Sequence, residues 1–146
     1  MKFSALLLSV MFFILISSSC GSGSGSGNNK KIILKIDNSE LSVQWEGNES
    51  VDALKKILEN GYKIIDMHRY GDFEQVGSLG QTLTSDNRQM TTSPGDIVLY
   101  NGNQIVIFYG SNSWSYTKLG KITGKTDSEL KTILDKANVT LRLSIN

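Results

Sequence analysis

Cysteine and histidine each occur once in this chain of 146 residues, as Cys20 and His68. A lone cysteine cannot close an intrachain disulfide. One thiol and one imidazole also fall short of a zinc site. No DxDxDG-type loop appears; a carboxylate-based calcium site stays open, but no metal is expected. Neither sign of charge is in excess: the formal net charge is +1, and no run of basic residues alternates with aromatics. That excludes the long-range field that draws a protein to nucleic acid or to anionic lipid. No dinucleotide fingerprint is present, so flavin binding has no support and no cofactor is expected. The GSLG stretch at Gly77 is too short for a phosphate loop. His68 has no nearby cysteine and no recognisable Ser-His-Asp arrangement, so a hydrolase triad is unsupported.

What is present first is an address. MKFSALLLSVMFFILISSSC has a positive charge at Lys2, an apolar run from Phe3 to Ile16, and Ser17-Ser18-Ser19 before Cys20. This is the three-part pattern of a secretory signal, and the run is shorter than the roughly 20 residues of a bilayer span. Small residues before a cysteine resemble a bacterial lipobox, with Ser17 where leucine is usual. We expect residues 1–19 to be a signal peptide and Cys20 to be lipidated. A plain secretory peptide or an uncleaved anchor are the competing readings. Loss of Lys2 with the leader leaves 14 basic against 14 acidic residues. GSGSGSGNN, Gly21 to Asn29, cannot bury anything and reads as a tether, native or engineered, reaching roughly 15 Å. The folded domain is expected over 30–146, on a protein secreted across the cytoplasmic membrane and anchored in the bacterial cell envelope.

KIILKID (Lys31 to Asp37) reads as a strand, and LSVQW (Leu41 to Trp45) as its hairpin partner with Leu41, Val43 and Trp45 on one face. SVDALKKILENG reads as a helix that Ser50 caps and Gly61 stops, with Val51, Leu54, Ile57 and Leu58 inward. YKIIDMHRY (Tyr62 to Tyr70) is a strand. Ser93-Pro94-Gly95-Asp96 turns into IVLY, and Asn101-Gly102 is a type I′ hairpin signal leading to QIVIFYG. Both arms are apolar on both faces, which predicts a central, buried hairpin. Trp114 to Tyr116 begins a further extended piece ending at Leu119-Gly120-Lys121-Ile122. TDSELKTILDKAN carries a capping box, Thr126 and Glu129, with Leu130, Ile133, Leu134 and Ala137 inward. VTLRLSI closes the chain in strict alternation. The predicted fold is mainly β: a closed antiparallel β-barrel of about eight strands with two short capping helices, a sandwich being the alternative.

Three pieces in order carry a family likeness. RYGDFEQVGSLGQTL resembles a loop of the form Y-G-x-x-E-x-x-G-x-L, SPGDIVLYNGNQIVIFYG a P-G-D-I strand-turn-strand, and WSYTKLGKI a segment ending in L-G-K-I. Together they resemble the small bacterial cyclophilin-like domain, over roughly Lys30 to Asn146. The resemblance implies a cyclophilin-type barrel, and it implies fold more than activity.

Cyclophilins catalyse rotation about X-Pro bonds by gripping the twisted amide with a guanidinium beside an apolar pocket. By that resemblance Arg69 is the candidate guanidinium, Phe73 the pocket floor and Gln75 the backbone-anchoring amide. The spacing departs from the cyclophilin pattern: Phe follows Arg by four residues rather than five, and Gln follows Phe by two rather than three. A one-residue shift in an extended segment turns a side chain to the other face. His68, Trp114 and Tyr116 are candidate ligand contacts, since aromatics beside a turn suit a peptide or glycan groove and equally suit core packing. The expected function is a lipid-anchored, monomeric module that binds a peptide or protein ligand in the envelope. A peptidyl-prolyl isomerase assisting envelope proteins is the alternative.

Overall fold

The computed structural model describes residues 30–146. The signal peptide, Cys20 and the Gly/Ser tether lie outside the described residues. Ten strands and two helices follow in the order β1 (Ile32–Ile36), β2 (Ser39–Leu41), β3 (Val43–Trp45), α1 (Glu49–Leu58), β4 (Tyr62–Tyr70), β5 (Glu74–Ser78), β6 (Arg88–Thr91), β7 (Asp96–Tyr100), β8 (Gln104–Phe108), β9 (Ser113–Ile122), α2 (Asp127–Leu134) and β10 (Asn138–Ile145). The neighbours run β2-β1-β10-β4-β5-β8-β7-β9-β3, all antiparallel, with β6 paired to β9.

LSVQW is not one strand. Residues 39–41 pair with β1, whereas residues 43–45 pair with β9, at opposite ends of the strand order. The chain crosses at Ser42, whose carbonyl accepts from the Thr123 amide at 2.8 Å. One covalent stretch therefore supplies both edges and brings them together. Trp45 bridges the seam, its indole N–H donating to the Ile32 carbonyl at 3.1 Å. The result is a nearly closed barrel rather than a sandwich.

The interior holds the alternating residues of β1 and β10, Ile32, Leu34, Ile36, Val139, Leu141 and Leu143, each at most 3% exposed. Val51, Leu54 and Leu58 of α1 and Leu130 and Leu134 of α2 enter the same core. Each such side chain contributes roughly 1.5–3 kcal/mol when fully buried. The cap of α1 is Asn48, not Ser50. Asn48 is extended, accepts from the Val51 amide at 3.0 Å, and donates to the Lys118 carbonyl at 2.8 Å. Ser50 lies inside the helix and donates to the Thr84 carbonyl. The capping box of α2 forms as predicted, but the helix ends at Leu134, which leaves Ala137 exposed beyond it.

The Asn101-Gly102 hairpin forms with φ of 50° and 72°, the left-handed pair that a type I′ turn requires. Its arms are buried on both faces. Ile97, Leu99, Ile105 and Ile107 point into the barrel core. Val98, Val106 and Phe108 point outward into a second apolar cluster with Tyr116. Two members of this outer cluster, Val106 and Tyr116, line a pocket.

Candidate functional site

The β4–β5 hairpin builds one side of this pocket. Gly71 turns the chain at φ 57°, and a Cβ there would run into the ring of Phe73. Gly110 meets the other side of the same residue, where a Cβ would come within 2.7 Å of the Phe73 Cβ. The Phe73 carbonyl accepts from the amides of Tyr109 and Gly110, both at 2.9 Å. Phe73 is thus a fixed wedge under the outer cluster, and it sets the register that pairs Tyr70 with Glu74, Arg69 with Gln75 and His68 with Val76.

Strand alternation then sorts the side chains. Glu74 pairs with Phe108 and Val76 with Val106, so both face outward with Tyr70. Tyr100 comes from β7, Gln104 and Val106 from β8, and Trp114 and Tyr116 from β9. They enclose an open cavity of about 260 Å³, with Asn112 at its edge. Tyr116 is the structural hub. Its ring meets Phe108 edge-on at 5.6 Å and Tyr100 at 6.0 Å, and its hydroxyl accepts from Asn112 Nδ2 at 2.9 Å. Tyr70 and Trp114, by contrast, are 68% and 57% exposed. They line the cavity as largely exposed aromatic rings.

Glu74 is the unusual member. It is 6% exposed, and its Oε2 has no hydrogen-bond partner. Among the described residues no lysine, arginine or histidine lines the cavity. Burial without a counter-charge pushes its carboxyl up to about 7, because low-dielectric surroundings disfavour the anion. A buried polar group left unpaired costs stability, so its presence in a cleft points to use by a ligand.

The residues expected from sequence divide between places. Trp114 and Tyr116 line the cavity, and Phe73 packs beneath it in the outer cluster. Arg69 and Gln75 occupy the opposite side of the wall. The Gln75 amide is fully buried and donates to the carbonyls of Leu134 and Lys136, both at 2.7 Å, so it terminates α2. Arg69 donates to Asp135 at 3.2 Å, just past the end of that helix. His68 Nδ1 lies 2.7 Å from the Asn138 side-chain oxygen, beside a separate polar depression with Asp37 and Asp66. The structure therefore does not bring Arg69, Phe73 and Gln75 onto one groove. Glu74, Tyr70 and Tyr100 also line the cavity and were not among the residues singled out from the sequence. The available signal was the Y-G-x-x-E spacing itself: across a three-residue turn it places Tyr70 and Glu74 opposite one another on one face.

Residues 34–145 match the model of the cyclophilin-like family, nearly the whole described barrel. Among curated proteins, none matches the chain.

Proposed function

The chain belongs to the cyclophilin-like family, and from that premise we propose that it is a ligand-binding module whose site is the outer-wall cavity of Glu74, Tyr70, Trp114 and Tyr116. The observation that carries this reading is the buried Glu74 carboxyl, its Oε2 unpartnered, in a cavity lined by two exposed aromatic rings. Aromatic walls supply contact area, and a single recessed polar group supplies orientation. Ligand exchange is the only chemistry this reading needs.

The test is a fragment titration followed by backbone and indole amide shifts. Hits are expected to converge on Tyr70, Trp114 and Tyr116, and Trp114→Ala is expected to remove them without lowering thermal stability. Hits that cluster elsewhere would move the site. Prolyl isomerisation is the other reading. It needs a guanidinium beside the substrate, whereas Arg69 is engaged with Asp135 on the far side of the wall. A protease-coupled assay over a panel of X-Pro peptides is expected to stay at the uncatalysed rate. Turnover abolished by Arg69→Ala would establish the isomerase instead.

The same proposal includes an envelope location, supported by the leader and by Cys20. Cys20→Ser is expected to release the protein from the membrane fraction. Unchanged attachment and processing would refute lipidation.

A further inference from the structure

We propose that the cavity is built for a quaternary ammonium group: the cation sits against the exposed rings of Tyr70 and Trp114 and is paired with the Glu74 carboxylate. The inference rests on the cavity being the ligand site, as proposed above, and adds the chemical class of the ligand.

Three observations converge. The first is charge. Glu74 is an uncompensated acid, and no lysine, arginine or histidine lines the cavity among the described residues. A bound cation supplies the missing partner, and an anion would add to the cost. The second is wall chemistry. Four aromatic side chains, Tyr70, Tyr100, Trp114 and Tyr116, surround one carboxyl. The faces of such rings carry negative electrostatic potential and hold alkylammonium ions in aromatic cages. The third is size and donor count. A cavity of about 260 Å³ is smaller than the roughly 300–1,000 Å³ of pockets that enclose a drug-sized molecule, so it takes a head group. A quaternary nitrogen pairs with the carboxylate by charge alone and has no N–H to satisfy, and the lining amides, Gln104 and Asn112, carry no charge to oppose it. A metal ion is poorly served, because no group of three or more acidic, histidine or cysteine side chains is gathered among the described residues.

The expected pH dependence follows from Glu74. Facing it are Tyr70 from β4, Tyr100 from β7 and Tyr116 from β9, while β8 contributes only the neutral Gln104 and Val106. A phenol ionises near 10 in water, and burial pushes Tyr116 higher. His68 of β4 lies opposite Val76 but directs its ring to Asn138. It is controlled with His68→Gln.

The experiment titrates choline and its neutral isostere 3,3-dimethylbutan-1-ol into the full-length protein and reads the Trp114 indole N–H shift. Choline is expected to bind about tenfold more tightly at pH 8 than at pH 6, as a carboxyl titrating near 7 requires. Glu74→Gln is expected to abolish that pH dependence and weaken choline at least tenfold, while His68→Gln leaves both unchanged. Trp114→Ala, at an exposed position, is expected to lose choline with its fold intact. If the isostere shifts the cavity resonances as strongly as choline at pH 8, the cation inference is overturned and the binding site stands. If neither probe shifts them, both are overturned.

Discussion

At the scale of single residues, Glu74 carries the most information. Its carboxyl titrates near 7 in the fold and near 4.3 in an unfolded chain. The folded state therefore holds the proton more tightly. Below about pH 3 both states are protonated and the residue costs nothing of this kind. As pH rises, the unfolded chain ionises first, so stability falls until the folded carboxyl also ionises, and it is flat above about pH 8. Glu74→Gln removes the charge and keeps the shape. We expect the variant to gain about 1–3 kcal/mol over the parent at pH 8 and much less at pH 5, measured by urea unfolding at both values. An equal gain at both would mean that the anion is not what the fold resists.

At the scale of elements, Gln75 and Arg69 make a contrast. Both contact the end of α2, yet one is buried and the other is a partly exposed ion pair. Gln75→Ala leaves the Leu134 and Lys136 carbonyls without their donor and opens a void, which is expected to cost about 2–3 kcal/mol. Arg69→Ala is expected to cost less than about 1 kcal/mol. Hydrogen exchange of the α2 amides checks the assignment, since only the Gln75 variant should expose them. The same two residues show what the sequence could convey. The α2 capping box was legible because Thr126 and Glu129 answer each other within one turn. The cap of α1 was misplaced because Asn48 is fixed partly by Lys118, 70 residues away. Strand β5 was unreadable as a strand. Its inner positions carry Gln75 and Gly77 and its outer ones Glu74 and Val76, so no apolar alternation survives. The element that hides its periodicity is the one that supplies the cavity's acid, as expected where local rules yield to a site.

At the scale of the whole molecule, two apolar clusters lie on opposite sides of one wall. The inner one holds the barrel together, and the outer one contributes Val106 and Tyr116 to the cavity. The β7–β8 hairpin reads as apolar on both faces because it serves both. Closure of the barrel is a separate matter, resting on the crossing at Ser42 and on the Trp45 bridge. That closure was not legible, since LSVQW alternates like one uninterrupted strand and nothing local marks the change of partner. Trp45→Phe keeps an aromatic ring at the seam and deletes only the donor to the Ile32 carbonyl. It is expected to cost about 1 kcal/mol and to raise amide exchange in β1 and β3 more than in β7 and β8. The cavity lies among β4, β5, β7, β8 and β9, so the variant should bind ligand as the parent does. A variant equally protected across all strands would show that the paired backbone at Ser42 closes the barrel without the indole.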